Sequence, residues 1–143
     1  MIDTRNGPYG LFVLRVALGV MFIAHAWLKY AVFTMPGFEG FLGQVGLPAA
    51  LAWPIVLAEF VGGVALVLGL YSRWVAAALV PLLLGALNVH MGNGWLFTNT
   101  NGGWEYPAFL VVGAVVIALA GEGAFAIRRA SLPLLGSAEP QTA

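Results

Sequence analysis

The chain has 143 residues, of which 61% are hydrophobic and 8% charged, and its formal net charge is zero. Soluble domains carry about 25% charged residues, so this composition excludes an ordinary soluble domain and indicates a membrane protein. The absence of cysteine and of long basic runs also excludes disulfides, iron–sulfur clusters, covalently attached haem and nucleic-acid binding.

Four apolar segments are long enough to cross a bilayer, at about 10–31, 50–70, 73–91 and 105–126. A helix needs about 20 mostly apolar residues to span the hydrocarbon core. The sequence therefore predicts an all-α integral membrane protein with a four-helix transmembrane bundle. Residues 1–130 are expected to form this single domain, and 131–143 a flexible cytoplasmic tail.

The first apolar segment contains three basic side chains, Arg15, His25 and Lys29. At roughly 100° per residue, they share one helix face with Phe22. Charged groups in hydrocarbon are costly, so this face is expected to point into the bundle rather than toward lipid.

The loop after the first segment contains a helical pattern of apolar residues. Phe38, Phe41, Leu42 and Val45 are spaced i, i+3, i+4 and i+7, which predicts a short helix lying in the membrane interface. The arginines at 5, 73, 128 and 129 all lie on the other side of the predicted bundle. By the positive-inside rule, both termini are expected in the cytoplasm and this short helix on the outside.

The second segment contains a lone carboxylate, Glu59, near the expected bilayer centre. Such a group must find a partner inside the bundle. At about 1.5 Å per residue, its predicted height allows contact with Arg15 from the cytoplasmic side, or with Lys29 and His25 from the outer side.

The remaining polar residues of the spans complete a predicted site in the outer half of the bundle. His90 ends the third segment and Glu105 opens the fourth. We expect this site to bind a ligand or relay protons, the usual role of ionisable groups inside a membrane. The alternative is a structural Arg15–Glu59 pair that sets helix register. The candidate ligand-binding residues are Arg15, Phe22, His25, Lys29, Glu59, His90 and Glu105.

The two histidines raise a further alternative. His25 and His90 have similar predicted heights, as bis-histidine haem ligation requires. However, Lys29 lies one turn from His25 and opposes a bound cation, so no metal site is predicted.

Three stretches together resemble the DoxX family of small four-helix bacterial membrane proteins: RVALGVMFIAHAWLK at 15–29, AEFVGGVALVLGLYSR at 58–73, and NVHMGNGW with GGWEYP within 88–107. The family is similar to the small membrane subunit of thiosulfate:quinone oxidoreductase. The resemblance therefore implies a bacterial inner-membrane location, a quinone as the cofactor and a redox partner subunit. The family's polar positions match Arg15, His25, Lys29, Glu59, His90 and Glu105.

The leading hypothesis is a redox-associated subunit that binds a quinone-like ligand or relays protons. The candidate catalytic residues are His25, which exchanges protons near neutral pH, Lys29, which stabilises negative charge, and Glu59, which balances the charge or passes the proton. Whether the chain itself catalyses a reaction is left open, as is self-association. The alternatives are a non-catalytic anchor or assembly partner of a redox complex, and a carrier of small solutes or lipids.

Overall fold

The computed structural model describes residues 4–128 and is helical over most of this range. Its α-helices are α1 (Gly7–Trp27), α2 (Met35–Gln44), α3 (Ala52–Leu68), α4 (Ser72–His90) and α5 (Glu105–Ala120). A π-helical turn, Leu28–Val32, extends α1, and 3₁₀ turns occupy Ala49–Leu51 and Met91–Asn93. The predicted tail at 131–143 lies outside the described residues.

Three of the predicted spans are long and apolar enough to cross a membrane. Together with their flanking turns, they cover Gly7–Val32, Ala49–Leu68 and Ser72–Asn93. The apolar α5 has 16 residues, fewer than the 20 or so that a span usually needs. The prediction of an all-α fold is thus confirmed, with three helices that are compatible with membrane spans, whereas a fourth span formed by α5 and the four-helix transmembrane bundle stay predictions.

The last predicted segment ends earlier than the sequence pattern indicates. It was expected to run to 126, but α5 stops at Ala120 because Gly121 and Gly123 adopt positive φ angles, 104° and 72°. The chain then turns back across the ends of the other helices. The amide of Ala124 donates to the carbonyl of Pro8, and that of Arg128 to the carbonyl of Gly69.

The four longer helices all contribute residues to a buried apolar cluster. α1 packs most extensively on α3 and α4 on α5, while contacts between α3 and α4 and between α1 and α5 close the ring. Phe22, a candidate ligand-binding residue, lies in this core. The buried core residues are Leu18, Phe22, Leu66, Ala76, Leu79, Leu83, Ala114 and Ile117.

Two glycines permit the close approach of α1 and α3. A Cβ atom placed on Gly19 lies 2.7 Å from the carbonyl oxygen of Gly63, and one placed on Gly63 lies 2.8 Å from the carbonyl oxygen of Gly19. Both obstacles are backbone atoms, which no side-chain rotation can move. Small residues at such crossings allow helix backbones in membranes to pack directly against each other.

We expect Gly19→Ala to destabilise the protein, because its methyl group must push α3 away from α1. Overpacking of this kind lowers the free energy of unfolding by about 1–3 kcal/mol. Gly85→Ala is the matched control, since a Cβ on Gly85 meets nothing within 4 Å. Thermal denaturation in detergent measures the difference. Equal melting of the two variants and the parent would show that α1 and α3 are not in contact at Gly19.

The short helix α2 covers the ends of α1 and α3. Its N-cap, Thr34, accepts a hydrogen bond from the amide of Gly37. Phe38 and Leu42 are buried, as is Met35, while Phe41 and Val45 are exposed. The sequence predicted a helix here, but its position in the membrane interface stays a prediction. The buried residues that α2 shares with the two spans are Ala26, Met35, Phe38, Leu42, Ala52 and Val56.

Candidate functional site

Lys29 and Glu59 form an ion pair between α1 and α3. The Nζ atom of Lys29 lies 2.7 Å from both carboxylate oxygens of Glu59. The side chains are only 16% and 5% exposed, respectively. Of the three partners that the sequence allowed for Glu59, namely Arg15, Lys29 and His25, the structure therefore selects Lys29.

The ammonium group of Lys29 has an N–H donor that Glu59 does not use. The residue lies in the π-helical turn that extends α1, a feature often found at functional sites. An ammonium has three N–H donors, and Glu59 accepts from it through two oxygen atoms. Nζ also lies 5.6 Å from the centre of the Phe38 ring of α2 and makes a cation–π contact with it. A third donor is thus available to an oxygen acceptor.

Arg15 does not pair with Glu59, so the alternative of a structural Arg15–Glu59 pair is wrong. The guanidinium is fully buried and donates to the carbonyls of Glu122 and Ala124, beyond α5, and of Leu66 and Val67, in α3. The last carbonyls of a helix lack intrahelical partners, so a buried guanidinium satisfies them well. Arg15 thus holds the end of α3 and the segment after α5 together, at the opposite end of the helices from Lys29.

A second arginine strengthens this same end. The guanidinium of Arg73, at the start of α4, donates to the carbonyls of Leu119 and Ala120 at the end of α5. Its Nε atom lies 4.0 Å from a carboxylate oxygen of Glu122, which is itself buried. The cluster holds α5 and the returning segment against α4.

His25 faces α5 rather than the ion pair. Its Nδ1 atom lies 2.8 Å from the carbonyl oxygen of Met21. Its ring stacks on that of Tyr106, with the ring centres 5.8 Å apart and the planes inclined by 20°. The Tyr106 hydroxyl is buried and has no hydrogen-bond partner among the described residues. The sequence interpretation missed Tyr106, although the residue directly follows Glu105 in the quoted GGWEYP stretch.

His90 and Glu105 organise the loop between α4 and α5. The Nδ1 atom of His90 lies 3.1 Å from the carbonyl oxygens of both Asn101 and Gly102. The carboxylate of Glu105 accepts a 2.9 Å hydrogen bond from the amide of Phe97. Both side chains thus hydrogen-bond to the loop, and neither hydrogen-bonds to Lys29 or Glu59 in the described part of the chain. The residues of the site that the sequence predicted are thus divided among separate contacts.

An apolar groove of about 560 Å³ runs along α1 and α3. Trp27 and Tyr30, on either side of Lys29 in the sequence, line it together with Trp53. The Tyr30 ring lies 6.3 Å from the Trp53 ring and 6.4 Å from the Trp27 ring, centre to centre. Its remaining walls include Val20, Leu57 and Phe60. The groove can hold a hydrocarbon chain.

Comparison with known proteins gives a family and two relatives. The DoxX family model matches residues 10–92. The chain is 34% identical over 83 residues to a Bacillus subtilis (strain 168) protein named "Putative oxidoreductase CatD", a match that covers 58% of this chain and 60% of that relative. It is 32% identical over 122 residues to an uncharacterized protein of Haemophilus influenzae (strain ATCC 51907 / DSM 11121 / KW20 / Rd), covering 84% and 89% of the two chains. No solved structure matches the chain.

Proposed function

Since the chain belongs to the DoxX family, we propose that it is a redox-associated membrane subunit that binds a quinone-like ligand beside Lys29 and Glu59. The name of the Bacillus subtilis relative supports the redox class. The quinone comes from the family's similarity to the subunit of thiosulfate:quinone oxidoreductase. The observation that carries the proposal is the buried Lys29–Glu59 pair, in which the ammonium keeps a donor free.

The chemistry of the pair suits a quinone head group. A quinone carbonyl accepts a hydrogen bond from the free N–H of Lys29, while Glu59 keeps the local charge balanced. His25 lies one turn earlier on α1, and its imidazole can exchange protons near neutral pH. The apolar groove along α1 and α3, lined by Trp27 and Tyr30, offers a place for the hydrocarbon tail.

We further propose that the ion pair lies in the outer half of the membrane and that both termini are cytoplasmic. The start of α4 and the end of α5 meet at Arg73. The start of α1 joins the same end through Pro8 and Ala124. An end rich in arginine favours the cytoplasmic side of a bacterial inner membrane. In this arrangement α5 is the fourth span.

A second candidate function is a non-catalytic anchor or assembly partner of a redox complex. It is favoured by the fact that the charges of Lys29 and Glu59 already neutralise each other and that Lys29 lies against the Phe38 ring. In that case the pair only specifies how α1 packs on α3. A redox partner subunit is part of both proposals.

Ligand binding tests the first candidate against the second. The parent protein in lipid nanodiscs is titrated with decylubiquinone, and binding is followed by quenching of tryptophan fluorescence. Removing the Lys29 donor in Lys29→Met is expected to weaken binding by about tenfold to a hundredfold. Arg128→Gln, at the exposed opposite end, is the control and should bind like the parent.

Loss of folding in Lys29→Met could imitate loss of binding, so Lys29→Met/Glu59→Leu is titrated as well. This double variant removes both charges together and should fold, but it lacks the donor. No saturable binding by the parent, or parent-like binding by the double variant, would favour the anchor.

A further inference from the structure

The Tyr106 hydroxyl is an unsatisfied polar group inside the protein. It is buried without a hydrogen-bond partner in the described part of the chain. Leaving a buried hydroxyl unpaired is unfavourable, because the group loses its hydrogen bonds to water and gains none in the protein. In native proteins such a group usually has an ordered water or a ligand as its partner. Its neighbour in the structure is the ring of His25.

The contact with Met21 sets the tautomer of His25. A backbone carbonyl can only accept a hydrogen bond, so the Nδ1 atom, 2.8 Å away, carries the proton in the neutral ring. The Nε2 atom then presents a lone pair and can only accept. Nothing in the described residues donates to it. Beside each other, the two rings therefore present one free acceptor and one free hydroxyl.

We propose that His25 and Tyr106 bind a hydroxyl group of the ligand, so that the site prefers the reduced hydroquinone form to the quinone. A single hydroxyl can donate to His25 Nε2 and accept from the Tyr106 hydroxyl, which satisfies both groups. A quinone carbonyl can only accept a hydrogen bond, so it leaves the Nε2 atom of His25 without a hydrogen-bond donor. This inference rests on the proposed function and specifies the redox form that the same site takes.

The spacing along α1 fits a ligand with two oxygens on opposite sides of a six-membered ring. His25 and Lys29 are four residues apart, or about 6 Å along the helix axis. This separation is comparable with that between the two oxygens of a hydroquinone. In the proposed complex one oxygen lies at His25 and Tyr106, on the α5 side of α1, and the other accepts a hydrogen bond from Lys29, on its α3 side.

The test compares decylubiquinol with decylubiquinone, binding to the full chain in nanodiscs under anaerobic conditions. The parent is expected to bind the quinol about tenfold more tightly. His25→Phe keeps an aromatic ring beside Tyr106 but has no Nε2 acceptor, and should lose this preference. Tyr106→Phe should weaken quinol binding about tenfold while it keeps the ring stack. Tyr9→Phe, which changes a tyrosine that is 54% exposed, should bind both forms like the parent.

The outcomes separate this inference from the proposed function. Parent-like quinol binding by both Tyr106→Phe and His25→Phe, with loss of binding in the Lys29→Met/Glu59→Leu variant, would show that the hydroxyl holds only a water. The inference would then be overturned and the proposed function would stand. Equal affinity of the parent for the two forms would also overturn it. No binding of either form by the parent would overturn both.

Discussion

We expect Lys29→Met to lower the free energy of unfolding by about 3–5 kcal/mol, because it leaves the Glu59 carboxylate buried without a partner. Glu59 is 5% exposed in its side chain, and both of its oxygens accept from Lys29. Unfolding in mixed detergent micelles, titrated with sodium dodecyl sulfate and followed by circular dichroism, measures the effect. Lys29 is the chain's sole lysine, so no other lysine can replace it.

The double variant Lys29→Met/Glu59→Leu provides the sharper comparison. Replacing both members of a buried pair by apolar residues of similar size is often neutral or stabilising. We therefore expect the double variant to recover most of the stability that Lys29→Met loses. Glu39→Gln serves as the control, since Glu39 lies on α2 outside the pair. If Lys29→Met and the double variant unfold alike, the two side chains are not coupled.

Arg15→Met is expected to have an effect of similar size at the other end of the helices. It removes donors from four buried or partly buried carbonyls, two at the end of α3 and two beyond α5. An unpaired buried acceptor costs about 1–3 kcal/mol, so a total loss of about 3 kcal/mol or more is expected. The same detergent titration measures it.

Arg15→Lys separates charge from geometry. Lysine keeps the charge but has a single ammonium group, which cannot reach all four carbonyls as the planar guanidinium does. Its stability should fall between those of the parent and Arg15→Met. Arg128→Gln, which loses one exposed hydrogen bond to the Tyr71 hydroxyl, should remain close to the parent. Parent-like stability of Arg15→Met would contradict the structural role of Arg15.

The sequence was sufficient to predict an all-helical fold with apolar helices long enough to span a membrane. It could not choose between Arg15 and Lys29 as the partner of Glu59, because heights along the helices allowed both. The decisive acceptors for Arg15 include the carbonyls of Glu122 and Ala124. These lie in a segment that its apolar residues predicted to be helical, and the positive φ angles of Gly121 and Gly123 make it turn back instead.

The sequence could predict which residues belong to the candidate site, but it could not predict which residues they contact. Helix periodicity places His25 and Lys29 on one face, yet the structure directs the first toward Tyr106 and the second toward Glu59. That difference depends on the packing of α1 against both α3 and α5 and on the π-helical turn after Trp27. The hydrophobic pattern of the sequence predicts neither this packing nor this π-helical turn. His90 and Glu105 likewise contact a loop whose folding depends on its own backbone hydrogen bonds.

The most direct test of quinone binding is the analysis of what the protein retains on purification. The parent and the Lys29→Met/Glu59→Leu variant are purified from bacterial membranes in a mild detergent, extracted with organic solvent, and assayed for quinones by mass spectrometry. We expect the parent to retain quinone or hydroquinone in a clear excess over the double variant and over an unrelated membrane protein of similar size. Equal background amounts in all three preparations would contradict a quinone site beside Lys29 and Glu59.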